Sequence, residues 1–169
     1  MKILVAIAML TVILASGFEA LILAFDTMIG NYEELWWFLS IEVSPEHKPG
    51  YIAWPTALVG LATWLCIILA FWPLHQLIWS KKELSFQFVG SRLKRSAYGC
   101  LGFWLGSTIL FTVIPLIVIW GWDATVIDDT VLVPIGFETV FLIISLIFVT
   151  VGRTLERAEV IEDEINHIL

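Results

Sequence analysis

Four long apolar runs decide what this chain can fold into, and they cover approximately residues 3–25, 52–78, 97–120 and 131–151. A helix needs about 20 apolar residues to cross a hydrocarbon core of about 30 Å, and each run reaches that length. Soluble domains are about half apolar and about a quarter charged. This chain is 59% hydrophobic and 15% charged. The sequence therefore predicts an all-α integral membrane protein, with residues 1–169 forming a single domain built on a four-helix transmembrane bundle.

The distribution of lysine and arginine predicts the orientation, because cytoplasmic segments carry the positive excess. Eight of the nine bases lie before the first run, between the second and third, or after the fourth, and Lys48 is the exception. We expect both termini, an inner loop at 79–96 and a tail at 153–169 to be cytoplasmic. The segment 26–51 is then an outer loop, and its stretch "EELWWFLSIE" favours a short helix in the membrane interface.

The polar residues exclude several classes of function. A formal net charge of −7 argues against direct binding of nucleic acid, which depends on bases that neutralise phosphates. The sequence contains no G-x-S-x-G, H-E-x-x-H or P-loop pattern. We therefore expect no enzymatic activity, no cofactor and no metal site.

Three ionisable residues lie within the apolar runs, where such groups are costly and indicate function. Helical rise places Glu19 and Glu138 at similar depth, about 10 Å from the outer boundary. They fit a pair that shares a proton or binds an ion, or two neutral side chains bonded to nearby hydroxyls or backbone. His75 lies near the inner end of the second run, and no second histidine lies at its depth, so we interpret it as an interfacial residue.

Small residues and prolines indicate how the helices pack. Gly99, Gly102 and Gly106 form a stripe on the third run that lets another helix backbone approach, either within the bundle or in a dimer. Prolines predict kinks or first-turn positions at four places in the apolar runs. These are Pro55, Pro73, Pro115 and Pro134.

The tail predicts an amphipathic helix that continues the fourth span. Its apolar stripe comprises Leu155, Ala158, Ile161, Ile165 and Ile168, and its acidic face comprises Glu156, Glu159, Glu162, Asp163 and Glu164. An acidic face is repelled by anionic lipid, so the tail is not expected to lie on the membrane. We expect the stripe to dock reversibly on the inner end of the bundle or on a partner, with the bases Arg92, Lys94 and Arg95 within reach of the acids. The alternative is a solvated extension.

In its four-span layout, and at residue level in its second half, the chain resembles the uncharacterised bacterial membrane family called domain of unknown function 2975. The likeness rests on the entry to the third span, "SFQFVGSRLKRSAYGCLGFWL", and on the ending, "VGRTLERAEVIEDEINHIL". The motif positions are Phe88, Arg92, Leu93, Lys94 and Arg95 before the third span, and Ala158, Ile161, Glu162, Asp163 and Glu164 in the tail. The resemblance implies four spans, a bacterial cytoplasmic membrane and a helix-turn-helix regulator as partner. It implies no established activity.

Two functions follow as hypotheses. The first is a non-enzymatic regulatory or sensory membrane protein that binds a soluble cytoplasmic partner, such as a helix-turn-helix regulator, through its basic segment and acidic tail. The second is a small transport or proton-coupling bundle built around Glu19 and Glu138. Neither the ligand or signal nor the oligomeric state follows from the residues.

Overall fold

The computed structural model describes residues 2–33, 35, 39, 41–43, 50–80, 85–121, 124–126 and 137–168. This part of the chain consists of long helices and two three-residue strands. The helices are α1 (Lys2–Ile29), α2 (Gly50–Trp79), α3 (Phe86–Thr108), α4 (Ile114–Gly121) and α5 (Phe137–Ile168), and the strands are β1 (Ile41–Val43) and β2 (Ala124–Val126). A π-helical segment, Ile109–Val113, joins α3 to α4.

Four helical stretches are long and apolar enough to cross a membrane, which confirms the predicted number of spans. They are Lys2–Ile29, Ile52–Trp79, Phe86–Val118 and Thr139–Glu162. The shortest has 24 residues. At 1.5 Å per residue it is about 36 Å long, which exceeds a hydrocarbon core of about 30 Å. The helices thus indicate a multi-pass membrane protein.

The third span begins earlier than the apolar run predicted. α3 begins at Phe86, so the predicted inner loop at 79–96 is wrong for residues 86–96, and the three bases of that segment lie on helical turns. Ser85 caps this helix, because its hydroxyl accepts a hydrogen bond from the backbone N–H of Phe88 at 3.2 Å. An apolar run marks only the part of a helix that lies in lipid. Arginine and lysine have high helix propensity, so α3 can also include the polar residues that precede its apolar run.

The fourth span and the tail form one continuous helix, α5, which runs through residue 153 to Ile168. Gly152 lies inside this helix and is buried. A glycine in a helix interior costs about 1 kcal/mol relative to alanine. Its presence therefore calls for a packing reason, which the contact with α3 supplies.

The helices pack in chain order, with α1 against α2, α2 against α3 and α3 against α5. As residue numbers rise along one helix, they fall along the neighbour that it contacts, so neighbouring helices are antiparallel. On α2, for example, Ala70 lies beside Gly99 and Thr63 beside Gly106. We call the end where α2 finishes and α3 begins the hairpin end; Lys2 and the tail lie at the same end. The opposite end is the far end.

One hydrogen bond from a side chain to a backbone carbonyl crosses each of these three helix pairs. The Trp64 indole N–H donates to the Ile13 carbonyl at 2.9 Å, and the Ser145 hydroxyl donates to the Ala97 carbonyl at 2.8 Å. The Ser96 hydroxyl donates to the Ala70 carbonyl between α3 and α2. Such bonds are typical of helices in lipid, where close packing and polar contacts replace the hydrophobic effect.

At the far end, the described residues of the segments that join the spans pack on one another and on the helices. β1 and β2 form an antiparallel pair with Ile41 opposite Val126, and Leu35 and Leu39 are fully buried. They belong to an apolar cluster with Leu23, Ala53, Leu110, Ile114 and Val118. The predicted interfacial helix "EELWWFLSIE" is wrong at its last two residues, which are in β1; most of its other residues, like Pro134, lie outside the described part of the chain.

The third span changes its helical pitch before Pro115. The Ile114 N–H bonds to the Ile109 carbonyl, five residues back, which is the π-helical pattern. Proline has no N–H and its ring crowds the preceding turn of an α-helix. A wider turn just before it accommodates both effects without ending the helix.

Candidate functional site

Glu19 lies at a cavity of about 310 Å³ that residues from all four spans line. α1 contributes Glu19 and Ser16, α2 contributes Thr63 and Trp64, and the third and fourth spans contribute mainly aromatic side chains. The Glu19 residue is exposed, so its carboxylate lies at the rim of this cavity.

The polar groups around this cavity are mostly hydrogen-bond acceptors. The hydroxyl of Ser16 donates to the Val12 carbonyl at 2.7 Å, and that of Thr63 donates to the Val59 carbonyl at 2.7 Å. Each hydroxyl proton is therefore committed to its own helix, while the oxygen lone pairs stay available. Together with a carboxylate, such a lining suits a proton or a cation.

Glu138 lies one residue after the first residue of α5, and its side chain is outside the described residues. The proposed pairing of Glu138 with Glu19 therefore stays a prediction. Phe141, one helical turn further along α5, does reach the cavity and packs on Phe103 with ring centroids 4.4 Å apart. The start of α5 thus runs towards the same cavity as Glu19.

His75 lies between two tryptophans of its own helix. Its ring stacks on Trp72 with centroids 5.9 Å apart and is tilted against Trp79 at 6.1 Å. It also lines an apolar pocket of about 250 Å³ between α2 and α1. Within the described residues, no three His, Cys, Asp or Glu side chains lie close enough together to hold a metal ion.

The glycine stripe of α3 faces α2. A Cβ on Gly102 would lie 2.6 Å from the Cys66 sulfur, and one on Gly99 or Gly106 would clash with Ala70 or Thr63. The stripe therefore serves a contact inside the chain. Real Cβ atoms show almost no contacts below 3.0 Å, so these positions require glycine for the observed approach.

A second glycine contact, which the sequence analysis did not identify, joins α3 to the beginning of the tail. A Cβ on Gly90 would lie 2.6 Å from the Gly152 carbonyl oxygen, and one on Gly152 would lie 2.8 Å from the Gly90 carbonyl oxygen. The two backbones therefore cross almost in contact. Gly90 lies nine residues before the glycine stripe of α3, and Gly152 has no other glycine on α5, so neither belongs to a spacing motif and no signal in the sequence pairs them.

Two acids of the tail bind α3 next to this crossing. Glu156 accepts from the Lys94 ammonium at 2.7 Å, and the Glu159 carboxylate accepts from the backbone N–H of Gln87. Gln87 is in the first turn of α3, where free N–H groups and the helix dipole attract a carboxylate. The face that docks thus carries Gly152, Glu156 and Glu159.

Beyond Glu159, two isoleucines of the apolar stripe are exposed. Ile161 and Ile165 are 56% and 52% exposed, and Glu162 and Glu164 are exposed beside them. Leu155, nearer the membrane, is partly buried, and the Asp163 side chain lies outside the described residues. Ile161 and Ile165 are thus more than half exposed in this structure, and the predicted reversible docking of the stripe, on the inner end of the bundle or on a partner, stays a prediction.

The remaining bases, Arg92 and Arg95, face α2. They line a groove of about 620 Å³ with Gln76 and Tyr98, on the opposite side of α3 from Lys94. The sequence singled out these arginines as partner-binding residues and gave no sign of a groove.

These features define a multi-pass α-helical membrane protein with a long helical tail and two polar sites at its helices. The chain matches no protein-family profile, no curated protein and no solved structure. The resemblance to domain of unknown function 2975 stays a prediction.

Proposed function

We propose that this chain is a non-enzymatic regulatory protein of the bacterial cytoplasmic membrane that binds a soluble cytoplasmic partner through the end of its tail. Its four spans form a bundle, and the extension of α5 enters the cytoplasm. The observation that carries the proposal is the exposure of Ile161 and Ile165, on a helix whose base is held by Glu156 and Glu159.

The tail end has the features of a helix that fits a partner's groove. Ile161 and Ile165 are four residues apart and share one face, and acids flank them. Holding the base of the tail lowers the entropy lost when its end is bound. An apolar pair with an acidic border suits a basic amphipathic surface, which a helix-turn-helix regulator provides, and the family resemblance implies the same class of partner.

The test is recovery of the partner from native membranes with the intact protein. I161S/I165S should lose the partner while it still inserts in the membrane, because it removes the apolar contact. I161L/I165L, the matched control, keeps an apolar face and should retain the partner. E162Q/D163N/E164Q should weaken recovery mainly at low salt, because exposed charge pairs are screened. Equal recovery with I161S/I165S and the wild type would refute the proposal.

The orientation is tested separately by reporter fusions. Fusions at Lys82 and Leu169 should report a cytoplasmic location, and fusions at His47 and Thr125 an external one. A cytoplasmic signal at His47 would contradict the arrangement.

A second candidate function is proton or cation coupling at Glu19, which the acceptor-rich cavity of about 310 Å³ favours. In proteoliposomes containing a pH-sensitive dye, E19Q should abolish protein-dependent proton flux, whereas E33Q, which changes an exposed acid four residues beyond the first span, should not. The same experiment with E138Q tests whether the two acids act as a pair. Equal flux with E19Q and the wild type would eliminate this candidate.

A further inference from the structure

The groove between α2 and α3 at the hairpin end combines a cationic end with an apolar wall. Arg92, Arg95 and Gln76 lie towards the hairpin end, and Leu69 and Trp72 extend the lining towards the middle of the span. Leu69 and Trp72 are 60% and 58% exposed, so in a membrane this wall faces lipid. The volume of about 620 Å³ falls within the range of pockets that hold small organic ligands, roughly 300–1,000 Å³.

The two arginines differ from the neighbouring lysine in their partners. Lys94 faces α5 and is neutralised by Glu156. For Arg92 and Arg95, the described part of the chain offers no carboxylate within salt-bridge distance. Two cations three residues apart on one helix repel each other, and a bound anion between them would relieve this repulsion.

Two buried polar atoms of the groove point to the same kind of ligand. Arg92 Nε and Gln76 Oε1 are both buried, and neither has a hydrogen-bond partner among the described residues. The Arg92 guanidinium is held over the Phe88 ring at 5.0 Å, which limits its orientations. A guanidinium presents paired N–H groups that match the oxygens of a phosphate, and the Gln76 carbonyl oxygen can accept from a headgroup hydroxyl.

We propose that this groove binds an anionic phospholipid, with its phosphate between Arg92 and Arg95 and an acyl chain along Leu69 and Trp72. The apolar run begins immediately after Arg95, which places the two guanidiniums at the level of lipid headgroups. Basic pockets between spans at this level are suited to anionic headgroups. The continuous apolar wall favours a lipid over a free anion. The site is independent of the partner proposed for the tail.

The experiment is native mass spectrometry of the intact protein in neutral detergent, titrated with phosphatidylglycerol or with phosphatidylcholine of the same acyl chains. Wild type should bind phosphatidylglycerol more tightly by on the order of tenfold, since each base near the surface contributes appreciably to binding. R92Q/R95Q should lose this preference. R153Q/R157Q is the matched control, because it removes two exposed arginines from the same end of the molecule outside the groove, and it should keep the preference.

Three outcomes would overturn the proposal. They are a preserved preference in R92Q/R95Q, an equal loss in R153Q/R157Q, and displacement of the lipid by inorganic phosphate at equal concentration. The last result would identify a site for free anions. If R92Q/R95Q does not insert, R92K/R95K takes its place; it keeps the charge without the paired N–H groups and should weaken phosphatidylglycerol binding several-fold, whereas unchanged binding would refute the proposal.

Discussion

Replacing Gly90 by alanine should separate the tail from α3. The new Cβ would lie 2.6 Å from the Gly152 carbonyl oxygen and 2.9 Å from the Glu156 side chain, whereas ordinary contacts begin at 3.4 Å. The two backbones must therefore move apart by about 0.8 Å at their crossing. Such overpacking costs about 1–3 kcal/mol, and the better helix propensity of alanine returns about 1 kcal/mol. We expect a net loss of up to about 2 kcal/mol in the free energy of unfolding.

The assay is reversible unfolding of the purified protein in mixed micelles of neutral detergent and dodecyl sulfate, followed by circular dichroism. Gly60→Ala is the matched control, because the nearest atom to its new Cβ is the end of the flexible Leu23 side chain at 3.3 Å. Propensity should then dominate, and G60A should be as stable as the wild type or slightly more stable. If G90A and G60A unfolded at the same dodecyl sulfate fraction, the close crossing would be refuted.

A double-mutant cycle sharpens this test. Gly152→Ala alone should also destabilise, because its Cβ would lie 2.8 Å from the Gly90 carbonyl oxygen. Both substitutions demand the same separation of the helices, so the second should cost less than the first. Additive losses would show that the two positions do not share one contact.

Two further experiments test the contacts that hold α1 and α5 against their neighbours. Trp64→Phe removes the hydrogen bond to the Ile13 carbonyl and should lower the free energy of unfolding by about 1 kcal/mol, with the exposed Trp54→Phe as a nearly neutral control in the same micelles. Lys94→Glu and Glu156→Lys should each speed cleavage of the tail by thermolysin, a protease that cuts beside aliphatic residues, so that neither substitution adds a site. The double reversal K94E/E156K should restore the wild-type rate; equally fast cleavage in the double variant would contradict the ion pair.

The spans could be predicted because the bilayer imposes one dominant constraint. Any segment that crosses it must satisfy its backbone internally and bury about 20 apolar residues, and this demand is visible in a single sequence. Helix ends outside the lipid obey different rules. Ser85, which caps α3, is a single residue in a polar segment, and its influence is far weaker than the hydropathy change near residue 97.

The helix contacts could be predicted only in part. Gly99, Gly102 and Gly106 repeat along one helix, and this spacing indicates a packing face without naming its partner. Gly90 and Gly152 are single residues on different helices. Their contact depends on the rotation and the axial shift of α5 relative to α3. The residue periodicity of a single helix predicts neither of these.

The candidate sites show the same limit. A carboxylate within an apolar run carries a high free-energy cost, which identifies Glu19 as a candidate functional residue. The cavity beside it depends on the relative positions of four helices, which no local pattern in the sequence specifies. The tail acids were predicted to oppose an apolar docking stripe. In the structure Glu156 and Glu159 dock, because the first turn of α3 and Lys94 offer positive charge, and Ile161 and Ile165 are more than half exposed.

The first turns of α3 carry two surfaces that serve different purposes. Gly90 and Lys94, four residues apart, contact α5 and position the tail, while Arg92 and Arg95 line the groove with α2. Since residues 90 and 94 lie on one face of the helix and 92 and 95 on the other, a charge can be removed from one surface without touching the other. The lipid binding proposed for the groove and the partner binding proposed for the tail are therefore separable by mutation. Each proposal can fail while the other stands.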